Sequence, residues 1–252
     1  MHALREALAE FVELVLPVGC AGCGRPGVPL CPVCASAVRV PPRRVAATVL
    51  ASRGGAPVWA GPDYAGCVAR TVVAWKEAAR RDLAAVLAGV LAEVVATALR
   101  EGGPGSGGRR DDRPVLVVPV PSAGRAVRRR GEDVTRVLAA LAVARLRRVG
   151  AATVPPLRVA PLLRQRAGVR DQAGLSAGAR RANLAGGLRV ARGARRLLPG
   201  RPVVVVDDIV TTGATLAAAE ETLRASGADV VTLCALTATP CRRALAAPRS
   251  LD

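Results

Sequence analysis

The sequence predicts an α/β fold, a parallel sheet flanked by helices, preceded by a small N-terminal metal-binding module. Three observations carry that expectation. Through the second half of the chain, short β-branched runs alternate with helical stretches, the pattern of a parallel sheet covered on both faces. Four of the seven cysteines crowd between Cys20 and Cys34. The length, 252 residues, suits one α/β domain with an added module, or two small domains.

Taken in order, residues 3–16 read as a short amphipathic helix, with Leu4, Leu8, Phe11 and Val15 at helical spacing. Glu6, Glu10 and Glu13 break its apolar character and argue against a secretory signal. The Gly- and Pro-rich cysteine segment follows, then "VWAGPDY", a short strand or turn. From Ala65 to Arg100 the pattern is helical, in two pieces that break near Arg80 to Asp82. The second piece carries an apolar stripe through Leu83, Val86, Leu87, Val90, Leu91, Val94 and Val95, read as core packing. "EGGPGSGGRRDDR" has the composition of a flexible linker. Beyond it lie a buried strand, "PVLVVPVP", and a helix, "EDVTRVLAALAVARLRR", with Val134, Val137, Leu138 and Leu141 on one face. "TVPPLRVAPLLRQ" holds another short strand, and Arg164 to Arg181 is polar and arginine-rich. The strand Val203 to Val206, a helix from about Thr212 to Ser226 stopped by Gly227, and the strand "DVVTLCALTAT" complete the pattern. The expected organisation is a cysteine module over residues 1–45, a helical or hood segment with linker over 46–112, and the main domain over 113–252.

Composition narrows the rest. Phe11, Trp59, Tyr64 and Trp75 are the only aromatic residues, so the core is built from Val, Leu and Ala. No apolar run approaches the ~20 residues that span a bilayer, and the chain reads as cytoplasmic, without membrane insertion. The formal net charge is +18, and Lys76 is the only lysine among 37 strongly basic residues. Arginine excess alongside abundant Ala and Gly is also what a GC-rich genome produces, so the charge points only weakly to an anionic partner. Lys76 itself reads as a solvated helix position.

Cys20-x2-Cys23 and Cys31-x2-Cys34 are two knuckles able to turn four thiolates toward one ion. Four sulfurs suit tetrahedral Zn²⁺, and a filled shell leaves no place for substrate, so the ion would be structural. An iron–sulfur cluster and a redox dithiol pair are the alternatives.

The strand "VVVV" runs directly into Asp207 and Asp208, and "TTGAT" then enters a helix. In a parallel sheet the carboxylates emerge at the carboxyl edge, where such sheets bind ligands. Gly213 and Ala214 let backbone approach a ligand, and free N–H groups from Thr212 to Thr215 sit at a helix start carrying about half a positive charge, which suits a monophosphate. Paired acceptors a few residues from a phosphate cradle suit a ribose bearing a 5′-phosphate. That combination outweighs the reading in which the aspartates merely cap a turn.

Val203 to Thr215 closely resembles the 13-residue signature of type I phosphoribosyltransferases for 5-phosphoribosyl-1-pyrophosphate (PRPP). The resemblance implies that Asp207 and Asp208 contact the ribose hydroxyls and that Thr211, Thr212, Gly213, Ala214 and Thr215 hold the 5′-phosphate. Four thiols ahead of the domain, "WKEAARRDLA", "VPVPSAGRAVRRRGEDV" and "DQAGLSAGARRANLAG" occur in an order similar to ComF family proteins, the competence-associated, GntX-like group. The family often carries an aromatic-Asn-Gln run where this chain has Glu132, Asp133 and Val134.

On the phosphoribosyltransferase resemblance, Pro121, Ser122 and Ala123 form a pyrophosphate loop with Arg125 nearby; the plain alternative is a strand-end turn. Arg164 to Arg181 then becomes a loop closing over PRPP, with Arg164, Arg166, Gln172, Arg181 and Asn183 as polar contacts; the alternative is a basic surface loop. Mg²⁺ would accompany PRPP. No general base stands out, since His2, the only histidine, lies at the N-terminus, and no cysteine nucleophile follows Met1. Two functions follow. One is phosphoribosyl transfer to an unspecified acceptor with release of pyrophosphate. The other, implied by ComF, is an accessory role in single-stranded DNA uptake beside a helicase or transporter. Against DNA binding, aromatic platforms worth ~1–3 kcal/mol per base are nearly absent.

Overall fold

Valine builds the centre of the sheet. The computed structural model describes residues 19–52, 54–102, 113–149, 154–166 and 187–240. Its strands are β1 (Arg43–Arg44), β2 (Val58–Ala60), β3 (Val115–Pro119), β4 (Leu157–Val159), β5 (Leu163–Gln165), β6 (Leu188–Val190), β7 (Pro202–Val210) and β8 (Asp229–Ala238). Six form one sheet in the order β1-β2-β8-β7-β3-β4, parallel except for the edge strand β1. A parallel sheet is covered on both faces, so its strands are continuous apolar runs rather than alternating ones. Val203, Val204, Val205 and Val206 accordingly have no exposed surface.

The helices are α1 (Pro32–Val38), α2 (Thr48–Ala51), α3 (Gly66–Glu77), α4 (Ala84–Gly102), α5 (Gly124–Arg130), α6 (Val134–Val149) and α7 (Ala214–Arg224). Alternation along each strand divides the core in two. Val204, Val206, Cys234 and Leu236 pack under Trp75 of α3, Leu87 and Leu91 of α4 and Leu138 of α6. Val203, Val205, Leu233 and Ala235 pack under Leu50 of α2 and Leu216 and Leu223 of α7.

The helical stretch breaks where its sequence suggests. α3 stops at Glu77, Ala79 takes a left-handed conformation (φ 51°), and a single 3₁₀ turn over Arg81–Leu83 leads into α4. By length and composition Arg81–Gly102 is long and apolar enough to cross a membrane: it has 22 residues, and an 18-residue window within it has a mean hydropathy of 1.9. A count of uninterrupted apolar residues misses it, because Arg81, Asp82 and Glu93 interrupt the run. In this fold the stretch is a core helix packed on α6 and β8.

Three expectations change. Leu141 is 40% exposed, and α6 instead buries Leu138, Ala139, Ala142, Val143 and Leu146. The small Ala139 and Ala142 let α6 lie close to α4, a preference that apolar bulk alone does not reveal. "TVPPLRVAPLLRQ" yields two strands rather than one: β4 extends the main sheet, and β5 pairs antiparallel with β6. Arg164 is therefore a ribbon residue rather than the start of a loop. "VWAGPDY" gives β2, which pairs with β8 inside the main sheet, so the expected division before residue 113 falls within one sheet. The expected helix over 3–16 and Gln172, Arg181 and Asn183 lie outside the described residues, as does the expected linker except for Glu101 and Gly102, which end α4, and Arg113.

Candidate functional site

Asp207 and Asp208 stand within β7, which continues to Val210 instead of ending at Val206. β8 accompanies β7 to its end, with Asp207 opposite Ala235 and Val210 opposite Ala238. β3 stops earlier, its last pairing being Pro119 with Val206. One side of β7 is thus left open at the aspartates, as the carboxyl edge of a parallel sheet allows. The Asp207 Oδ1 accepts the Asp208 N–H at 2.8 Å. Burial holds the Asp207 carboxyl well above the usual carboxylate range, and the adjacent Asp208 charge adds to it. Lys76 pulls the other way, while Asp133 reinforces the rise.

Lys76 is not a solvated helix position. From the last turn of α3 its Nζ lies 2.5 Å from Asp208 Oδ2, and the two side chains are only 20% and 14% exposed. The next residue, Glu77, holds Arg129 and Arg130 at the end of α5, the latter at 3.0 Å. A solitary lysine in an arginine-rich chain was the available signal, but nothing local in the sequence pairs it with an aspartate on another strand.

Beyond the aspartates the chain turns through Thr211 and Thr212 to Gly213, which caps α7 at φ 81°. A side chain there is excluded twice: by the left-handed conformation, and by Ala47 Cβ, 2.6 Å from where a Cβ would stand. The Thr212 Oγ1 accepts the Ala214 N–H at 3.4 Å, and the Thr212 carbonyl accepts the Val49 N–H at 3.1 Å. The short helix α2 thereby braces the loop. Thr211 is exposed, and Ala214 and Thr215 are half-buried on the first turn of α7.

The Pro121–Ala123 turn leaves β3 beside the aspartates, since Val120 N–H donates to Val206 C=O at 2.9 Å. Asp133 occupies its donors. The Ser122 Oγ–H and N–H donate to the two Asp133 oxygens at 2.9 and 3.2 Å. Asp133 also caps α6, accepting the Arg136 N–H at 3.3 Å. Gln165 of β5 clasps the same turn: its Nε2 donates to Pro121 C=O and its Oε1 accepts the Gly124 N–H, each at 3.4 Å. Neither Asp133 nor Gln165 is legible as a site residue from local pattern. Arg125 is exposed on α5. The Arg164 guanidinium donates to the Pro161 and Leu163 carbonyls at 2.8 and 3.0 Å. Arg166 lines a cavity of about 510 Å³ beside Glu221 and Thr222 in the C-terminal half of α7. In the chain without ligand, Arg164 belongs to the β5–β6 ribbon and Arg166 follows it directly.

The four clustered cysteines do converge. Their sulfurs all lie within 4.8 Å of one another, and Cys23 and Cys31 Sγ are 3.7 Å apart. Tetrahedral thiolates ~2.3 Å from an ion stand about 3.8 Å apart, so the set fits a metal such as zinc. Gly22 is obligatory, because a Cβ would come within 2.6 Å of Cys34 Sγ. Burial opposes ionisation of Cys20, but N–H groups of Cys31, Cys23 and Gly22 outweigh it and lower its thiol to about 6. The cluster is fastened to α3 and the turn after it. Arg70 Nε donates to Gly22 C=O at 2.5 Å, and Arg80 Nη1 donates to Gly19 C=O at 3.0 Å while pairing with Asp82.

The family model for the phosphoribosyl transferase domain matches residues 109–246, just over half of the chain. An orotate phosphoribosyltransferase of Sorangium cellulosum (strain So ce56) is 45% identical over 51 residues, 20% of this chain and 27% of that protein. The chain thus spans about a quarter of the length of that curated relative. A solved structure from an analysis of an invariant aspartic acid in HPRTs, a glutamic acid mutant, matches 68% of this chain and 74% of its own at 18% identity, with a TM-score of 0.31. With an Asp-Asp strand end opening onto a glycine-capped helix inside the matched segment, the chain belongs to the phosphoribosyl transferase domain family.

Proposed function

We propose that the chain binds PRPP at the carboxyl edge of β3 and β7 and transfers its phosphoribosyl group to a nucleophile. The observation that carries this reading is the short run from Asp207 to Thr215, which sets two carboxylates and a glycine-capped helix start on one open strand end. Asp207 and Asp208 accept hydrogen bonds from the ribose hydroxyls. The N–H groups and hydroxyls of Thr211 to Thr215 hold the 5′-phosphate. The Pro121–Ala123 turn, clasped by Gln165, receives the pyrophosphate. The C1–O bond to pyrophosphate breaks, the nucleophile forms the new bond to C1, and pyrophosphate leaves with the electron pair. Mg²⁺ bound with the diphosphate supplies charge neutralisation for the leaving group. The four cysteines hold a structural Zn²⁺ that completes the N-terminal module. The order of the cysteine cluster, the Trp75-Lys76-Glu77 helix end and the Asp207–Thr215 loop supports a place among ComF-like proteins.

Calorimetric titration of the zinc-loaded chain with PRPP, with and without Mg²⁺, tests the reading. Wild type is expected to bind, and Asp207→Asn/Asp208→Asn to lose roughly a hundredfold or more, since each variant forfeits hydrogen bonds to a charged acceptor. A folded wild type that ignores PRPP overturns it.

A further inference from the structure

We propose that Lys76 is a specificity-determining residue that reads the charge at C1 of a bound ribose 5-phosphate, a role that rests on the phosphoribosyl reading above. In the free chain its ammonium lies on Asp208, and both partners are largely withdrawn from water. Ribose hydroxyls arriving at Asp207 and Asp208 would compete for the same oxygens, and the ammonium must then find another anion or remain desolvated beside a satisfied carboxylate. The last turn of α3 offers one direction. Lys76 touches β7, whereas Glu77 grips Arg129 and Arg130 of α5, the helix that follows the Pro121–Ala123 turn. α3 therefore links the aspartates to the C-terminal end of α5, whose N-terminal end follows the proposed diphosphate turn. Among the described residues the Arg130 Nε is also buried without a hydrogen-bond partner, so the junction of α3 and α5 lacks an acceptor there. A diphosphate at C1 supplies oxygens to that junction; a free anomeric hydroxyl does not.

Residue type fits the task. All but one of the 37 strongly basic residues are arginine, yet the cation on the aspartates is the single lysine. An ammonium is a compact charge on a flexible stem that can swing between a carboxylate and a phosphate, whereas a planar guanidinium locks onto one partner in a two-pronged pair.

The test compares two ligands that differ only at C1, PRPP and ribose 5-phosphate, by calorimetry on zinc-loaded wild type and Lys76→Met with Mg²⁺ present. Lys76→Met is expected to weaken PRPP by roughly ten- to a hundredfold, the loss of one charge-assisted contact. Ribose 5-phosphate should change by less than about threefold, and its retained binding also certifies a folded site. Lys76→Gln, which keeps a donor opposite Asp208, repeats the measurement in a less disruptive form and should show the same selective loss. Equal loss of both ligands, or loss of neither, overturns the proposal while leaving PRPP binding by wild type intact. Wild type that binds neither ligand removes the phosphoribosyl reading itself, and this proposal with it.

Discussion

The cysteine cluster and the Asp207–Thr215 loop are both built to hold something, but they are stabilised in opposite ways. The cluster has almost no core of its own. Its buried residues are Cys20, Cys31 and Cys34, with Val28, Leu30 and Cys67 packed alongside. The loop is fixed by four fully buried valines on one side and by α2 and α7 on the other. Its Asp208 charge is answered from within, by Lys76. In the first region a bound metal would supply what packing does not. In the second, a ligand would have to replace contacts that the chain already makes with itself.

Metal removal should separate the two regions most sharply. Structural zinc contributes ~10–16 kcal/mol to small thiolate modules, far more than the cluster's packing. Chelation is expected to abolish hydrogen-exchange protection across residues 19–39 while β3, β7 and β8 stay protected. Protection that survives chelation in both regions would erase the contrast.

The next effect concerns Asp207. Its folded-state acidity is shifted upward, so the folded chain holds a proton that the unfolded chain has released. The carboxylate therefore costs stability as pH rises from the ordinary carboxylate range through the raised value, and that cost is absent below it. Asp207→Asn should melt a few degrees higher than wild type at pH 7 and lose this portion of the pH dependence. Thermal melts from pH 4 to 8 decide the matter, and a variant less stable at neutral pH would mean that the ionised carboxylate is well paired.

The smallest effect tests whether Asp133 stands in for an anion. Asp133→Asn keeps a competent helix cap, so stability should move by less than about 0.5 kcal/mol, whereas Asp133→Ala should cost about 1 kcal/mol. With the negative charge gone from Ser122, pyrophosphate should bind Asp133→Asn a few times more tightly than wild type in a calorimetric titration. Weaker binding would mean that the carboxylate shapes the turn for its ligand.

Features confined to a short span are readable from sequence. The run around Asp207 forms a strand that leads into a glycine-capped helix, and the sulfurs of the two cysteine knuckles gather within a few ångströms. What escapes is the pairing between distant segments. Lys76 meets Asp208, and Asp133 meets Ser122, only because α3 and α6 pack against the sheet. The same limit applies to α6, where Leu141 faces outward because close approach to α4 favours alanine over bulk. The brace of α2 against Gly213 is hidden too, since nothing in the sequence around Ala47 marks it as a neighbour of that glycine.

The valine run in β7 has a further consequence. Four identical side chains, buried on both faces, carry no information about alignment: shifted by one residue, valine would replace valine at most positions. Alignment must come from the ends, where Pro202 pairs with Asp229 and the aspartates begin. A slip that drew Asp207 inward would place an unpaired carboxylate in the core, at a cost of several kcal/mol. The two acids thus act as a ruler for the strand as well as the proposed landing place for a sugar.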